Sequence, residues 1–237
     1  SVLDKIVNYK IITGMSQEYF DNIGKLMLES WIQYWPTNFC ITVYTEDIID
    51  FDHPRVLFEP LDNMEQEYHD FQNAVMKLER RTKTFAKKAW PIITHLASNT
   101  GRLIWLDADV ITESEITEQW LNTLIAPNDF SAHLGVPQAS YYAVETGFFM
   151  INLENKFKNE FLNEYRRTYY EKDFAGVKKP FDGDVFGKVI TFLKNNPKFT
   201  YTELNQNFET SLSPFNHVFR SRMKHYKARR KEIFKET

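Results

Sequence analysis

Asp107 and Asp109, in Trp105-Leu106-Asp107-Ala108-Asp109, are the residues whose types and spacing could most plainly do chemistry. They follow Arg102–Leu106, a short and almost wholly apolar run of the kind buried on both faces in the middle of a parallel sheet. In extended chain, carboxylates at i and i+2 project to the same side. Such a pair offers the hard oxygen ligands that Mg2+ or Mn2+ requires, and the ion can be shared with the oxygens of a diphosphate. A cation held there stabilises the negative charge that builds on a departing phosphate group. Asp-x-Asp is also a common way to turn the chain or cap a helix, so the surrounding elements have to decide.

Further acids and bases stand where a fold could recruit them. Asp182 heads an apolar helical pattern in Asp182-Gly183-Asp184, where it is expected to cap the helix at the positive end of its dipole. Asp184 is then a first-turn acid. Glu145 comes just before Thr146-Gly147 at the mouth of an apolar strand, either as an exposed loop acid or as a contact for a polar ligand. Between Arg220 and Lys231 there are seven Lys or Arg and no acid. That segment is a local basic patch suited to phosphates of a nucleotide, a nucleic acid or a lipid head group, or else a solvated helix face. Cys40, inside apolar Phe39–Val43, is expected to be a buried and inert thiol.

The elements that must position these groups alternate. A strand over Lys5–Thr13 closes on a turn at Gly14, and Ser16 caps a helix carrying Tyr19, Phe20, Ile23, Met27, Trp31 and Trp35 until Pro36 stops it. Strands follow at Phe39–Tyr44 and Arg55–Phe58, then helices over Glu65–Arg81 and Thr82–Ser98, the second kinked at Pro91. Gly101 breaks the chain before the strand that ends at the aspartate pair. Thr112-Glu113-Ser114-Glu115 reads as a capping box for a short helix. Phe130–Val136 and Phe148–Leu153 are strands flanking a loop that holds Tyr141, Tyr142 and Glu145. A helix spans Asn155 to about Tyr170, another runs from Asp182 to Leu193, and a last strand lies near Phe199–Leu204. The pattern predicts one α/β domain with a mixed, mainly parallel central sheet flanked by helices and a ligand crevice at the carboxyl ends of the strands.

Composition agrees: 237 residues with 43% apolar and 16% aromatic content can bury a full core. The net charge of −3 excludes nothing by itself. No apolar run approaches the roughly 18 to 20 residues that cross a bilayer, and Ser1 to Lys10 lack a signal-peptide pattern, so a cytoplasmic protein is expected.

The chain resembles the GT-A glycosyltransferases in four segments, in order. Arg102–Asp109 looks like their DxD strand, and Glu145-Thr146-Gly147-Phe148-Phe149-Met150-Ile151-Asn152-Leu153 is similar to the glycine-containing loop and strand beside the sugar in glycosyltransferase family 8 and in many phage-encoded members. Asp182-Gly183-Asp184 resembles the family 8 Asp-Gln-Asp segment, with Gly183 in the place of glutamine. His225-Tyr226-Lys227 followed by Lys231 resembles the carboxyl-terminal His-Tyr-x-Gly…Lys element, with Ala228 where a glycine is expected.

The resemblance implies a Rossmann-like GT-A domain over residues 1–237, with a nucleotide-sugar half at 1–112 and an acceptor half at 113–237. It implies Asp107, Asp109 and His225 as ligands of Mn2+ or Mg2+, and Lys227 and Lys231 as contacts for the diphosphate. Thr13, Gly14, Gly147 and Lys83 fall beside the donor, Asp182, Asp184 and Glu145 beside the sugar or acceptor, and Tyr141 and Tyr142 on an acceptor surface. The implied activity is transfer of a sugar from a nucleotide sugar, UDP-linked by resemblance, to a hydroxyl, with retention favoured. The phage-like segments and basic tail suggest a hydroxymethylated pyrimidine in DNA as acceptor. A surface glycan or protein competes with it, and a non-catalytic nucleotide-sugar or nucleic-acid binding module stays open.

Overall fold

A computed structural model describes residues 7–61, 66–75, 80–98, 100–137, 140–206 and 214–227. The first half comprises β1 (Tyr9–Gly14), α1 (Gln17–Tyr19), a π-helical turn (Phe20–Gly24), α2 (Lys25–Tyr34), β2 (Ile41–Thr45), β3 (Val56–Pro60), α3 (Gln66–Val75), α4 (Arg80–Lys87), α5 (Ala89–Ser98), β4 (Arg102–Leu106) and β5 (Val110–Thr112). The second comprises α6 (Glu118–Thr123), β6 (Ser131–Pro137), β7 (Tyr142–Asn152), α7 (Lys158–Tyr170), α8 (Asp182–Leu193), β8 (Thr202–Glu203), α9 (Pro214–Val218) and β9 (Met223–His225).

Among the described residues, seven strands form one sheet in the order β3-β2-β1-β4-β7-β6-β8, and of these only β7 pairs antiparallel to its neighbours. β4 is central, with Leu103, Ile104, Trp105 and Leu106 at most 2% exposed, as a strand covered on both faces must be. Its alternation divides the core. Ile104 and Leu106 join Trp31, Trp35, Ile41 and Val43 on the face covered by α2. Leu103 and Trp105 join Trp90, Leu96, Phe161 and Val189 on the face covered by α5, α7 and α8. The predicted mixed, mainly parallel α/β domain is the fold observed.

Local details differ from the sequence reading. Ser16 does cap its helix, accepting from Tyr19 N at 3.2 Å, but a π turn follows at Phe20–Gly24. Gly14 is the last residue of β1 rather than a turn, whereas Gly101, at φ +91°, does take the left-handed conformation where the chain passes Asn8. Pro91 makes no kink, because the break falls at Lys88 and proline in the first turn of α5 forfeits no hydrogen bond. Thr112 belongs to β5 and takes the Trp35 indole N–H at 3.0 Å, while Thr117 caps α6, accepting from Trp120 N at 3.1 Å. Cys40 is exposed, since alternation into β2 turns Phe39 and Ile41 inward and the thiol out.

The Tyr-containing loop is largely strand, because β7 starts at Tyr142 and so carries Glu145 and Gly147 within the sheet. α8 lies so close on β7 that a Cβ at Gly183 would strike Val144 O and one at Gly187 would strike Tyr142 O. Gly183 therefore faces the sheet. The basic segment is not a helix face as far as Lys227: β9 pairs antiparallel with β5, with Val110 opposite His225. Ala228 to Lys231 lie outside the described residues.

Candidate metal centre

The aspartate pair sits at the carboxyl end of β4, but a turn rather than extended strand brings the two side chains together. Asp107 N donates to Gly147 O at 2.9 Å, and Val110 N donates back to Asp107 O at 3.0 Å. Ala108, between them, packs inward at 4% exposure. The β5–β9 pairing then lays His225 against this turn, fixed by Tyr226 N to Asp109 O at 2.9 Å. His225 Nε2 comes to lie 3.0 Å from Asp109 Oδ1 and 3.6 Å from Asp107 Oδ2. One ligand atom from each of Asp107, Asp109 and His225 lies within 4.8 Å of the others.

A surrounding layer occupies the other oxygen of each aspartate. Asp107 Oδ1 accepts from Lys88 Nζ and from the Trp105 indole N–H, both at 2.7 Å. Asp109 Oδ2 accepts from the Tyr19 hydroxyl at 2.7 Å. His225 Nδ1 lies 3.3 Å from Glu145 Oε1, within ion-pair range but poorly aligned for a hydrogen bond. The imidazole backbone is clasped by Asn216, which accepts from His225 N at 2.7 Å and donates to His225 O at 3.2 Å. Partners of this kind orient metal ligands and fix their tautomers.

Electrostatics follow from burial and neighbours. Burial pushes the Asp107 carboxyl up, although Lys88 and His225 pull it back. Burial alone disfavours a charged His225, yet the carboxylates of Asp109, Glu145 and Asp107 raise its imidazole to about 9. The Glu145 carboxyl is disfavoured by burial, but His225 and Lys227 outweigh that and hold it at about 2. Tyr19, buried beside Asp109, is held well above the usual phenol range and stays a donor. The protonated imidazole thus supplies positive charge where a cation belongs. Two carboxylates and an imidazole suit Mn2+ or Mg2+, and the residues present fit such an ion.

Beside this centre Lys88, 9% exposed at its side chain, bridges Asp107 and Asp182, whose Oδ2 is 2.8 Å from Nζ. The ammonium also donates to Thr146 O at 2.8 Å and lies 4.7 Å above the Trp105 ring. Burial works against this charge, but the two carboxylates prevail and keep it cationic. Asp182 Oδ2 further accepts from the Thr146 hydroxyl at 2.5 Å. Asp182 is not the helix cap. Phe181 holds that position, and the Asp182 side chain is turned instead toward Lys88 and Thr146.

Of the residues singled out by sequence, Asp107, Asp109, His225, Glu145, Gly147, Asp182 and Lys227 come together. Lys227 Nζ lies 2.5 Å from Glu145 Oε2, and a Cβ on Gly147 would lie 2.7 Å from His225 Nδ1. Thr13 and Gly14 end the neighbouring strand β1, where the Thr13 hydroxyl is buried with no hydrogen-bond partner. Asp184 is half-buried on α8 and accepts from the Tyr141 hydroxyl. Lys83 lies on α4, and the lysine that enters the site is Lys88. Lys231 lies outside the described residues. Sequence reading missed Lys88, Tyr19, Trp105 and Thr146. Lys88 was detectable as a charge at helical spacing between Phe85 and Ile92; Tyr19 looked like one more aromatic on a core stripe.

No protein-family model matches the chain. Nor does any curated protein. Among solved structures it is similar to the apo form of mouse xyloside xylosyltransferase 1, with a TM-score of 0.55 and 11% identity over 84% of this chain and 86% of that one. It is likewise similar to an active-site mutant of LgtC (TM-score 0.54, 10% identity, 94% and 99% covered). A third neighbour is apo glycosyltransferase GlyE of Streptococcus pneumoniae, at TM-score 0.53 and 14% identity over 83% of this chain and 45% of that one. At such identities the likeness is one of fold.

Proposed function

We propose that this chain, whose fold is that of the GT-A glycosyltransferases, is a metal-dependent enzyme transferring a sugar from a nucleoside diphosphate, UDP in the first instance, to an acceptor hydroxyl. One observation carries this: Asp107 Oδ2, Asp109 Oδ1 and His225 Nε2 converge at the carboxyl edge of the central strand, with the other oxygen of each aspartate already held by a hydrogen bond. These three atoms would hold Mn2+ or Mg2+. The ion, when bound, offsets the negative charge that builds on the departing nucleoside diphosphate.

The chain's own groups divide the remaining work. Thr13, with its unpartnered buried hydroxyl, and Gly14 are assigned to the nucleoside. Lys227, more than half exposed, and Lys231 are assigned to the diphosphate as point charges. Lys88 offsets one of the two charges of Asp107 and Asp182 and leaves the floor of the site net negative, as a cation site requires. Asp182 and Asp184 are assigned to the sugar side, and the similarity of that segment to family 8 supports retention at the anomeric carbon. Gly147 leaves room for the His225 ring, a packing role distinct from sugar contact.

Asp109→Asn is expected to abolish transfer while leaving the thermal melt near wild type, and excess chelator is expected to silence the wild type. Turnover of a nucleotide-sugar panel, with the product's anomeric configuration read by NMR, checks both. Full activity in chelator would rule the mechanism out.

A further inference from the structure

Glu145 was expected to touch sugar or acceptor, yet both of its oxygens are already engaged. Its side chain is 11% exposed on β7. Oε1 accepts from Gly147 N at 3.3 Å and lies 3.3 Å from His225 Nδ1, while Oε2 lies 2.5 Å from Lys227 Nζ. Gly147, two residues along the same strand, has no side chain to keep the imidazole away. Phe215 closes against the ring with its centroid at 5.2 Å. The imidazole is thus seated on β7 with one nitrogen toward Glu145 and the other toward the aspartates.

We propose that Glu145 is a positioning residue whose two carboxylate oxygens clamp the segment His225–Lys227 to β7, seating the His225 ring beside one oxygen and fixing the place of Lys227 through the other. This rests on reading Asp107, Asp109 and His225 as the metal ligands. Charge attraction across the 3.3 Å between Oε1 and Nδ1 turns that edge of the ring toward β7. Nε2, at the opposite edge of the ring, is thereby held 3.0 Å from Asp109 Oδ1. The same carboxylate holds the Lys227 side chain at the edge of the site. Strand β7 therefore fixes a ligand and a phosphate-binding charge that both come from the far end of the chain.

Two measurements test the clamp. In the full-length, metal-free protein, hydrogen exchange at the amides of His225 and Lys227 is expected to be at least tenfold faster in Glu145→Gln than in wild type; unchanged exchange there would overturn the proposal, and unchanged exchange along β4 shows that the variant has folded. Titration of Mn2+ alone, by calorimetry, into Glu145→Gln is expected to show affinity ten- to a hundredfold weaker than wild type. The donor KM is expected to rise with it, while kcat at saturating Mn2+ and donor stays within about threefold. Unchanged Mn2+ affinity with a hundredfold fall in kcat would place Glu145 on the reacting sugar instead. Failure of the wild type to bind Mn2+ at all would count against the metal centre itself, while the exchange result judges the clamp separately.

Discussion

His225 is the residue on which charge and coordination meet. In the metal-free protein its imidazole is raised to about 9 against burial by Asp109, Glu145 and Asp107. A group raised in the folded state stabilises the fold fully below its unfolded value near 6.5, and the contribution fades as pH climbs through about 9. The metal-free protein should therefore lose stability between pH 6.5 and 9, and Mn2+ should restore it there. A protonated imidazole cannot ligate, so cation uptake at pH 7.5 is expected to release about one proton from this histidine. Calorimetry in buffers of different ionisation enthalpy reads that number directly, and apparent affinity should rise up to tenfold per pH unit until about 9. Uptake with no proton release would mean that His225 stays outside the coordination sphere.

At the scale of elements, α8 and β7 decide where Asp182 and Glu145 stand, and their contact depends on two glycines one helical turn apart. At Gly187 a Cβ would lie 2.7 Å from Ala143 Cα and 2.8 Å from Tyr142 C, both backbone atoms that cannot swing aside. Alanine is favoured over glycine inside a helix by about 1 kcal/mol, whereas overpacking of a close contact costs roughly 1 to 3 kcal/mol. Gly187→Ala should therefore be destabilising on balance, with a melting temperature lower by a few degrees for a domain of this size. Differential scanning calorimetry checks it, and a raised melting temperature would mean the helix slides freely on the sheet. Asp184 and Tyr141 lie along the same interface, so turnover should fall with stability.

On the scale of the whole molecule, the two halves of the chain meet at β4–β7 and again at β5–β9, and the centre lies where both pairings converge. The acceptor is the part of the reading that rests on charge alone. Within the basic segment Arg222 is spent on Glu115 O and the Trp120 ring, and Lys227 on Glu145. If hydroxymethylated DNA is the acceptor, duplex affinity should fall steeply between 50 and 200 mM salt, with a log–log slope of roughly −0.9 for each phosphate neutralised. Fluorescence anisotropy with a labelled duplex gives the slope. Absence of binding at low salt would remove DNA and leave a glycan or protein hydroxyl.

The α/β order, the buried strand Arg102–Leu106, the helix Asp182–Leu193 and the aspartate pair were all legible in the amino-acid sequence, because periodicity and acid spacing are local properties. His225 and Lys227 were legible only through resemblance to a family, since nothing local ties them to residues more than a hundred positions away. Lys88 and Tyr19 were not legible as site residues at all. Their roles depend on a helix break and a π turn that bring single side chains onto Asp107 and Asp109, and such placements are settled when packed elements close around a turn. Sequence alone determined which chemistry was possible: hard oxygen ligands at the end of a buried strand. Tertiary structure alone decided which carboxylate and imidazole atoms converge and which are held from behind, because the small β5–β9 sheet and the ladder along β7 join segments that share no local pattern.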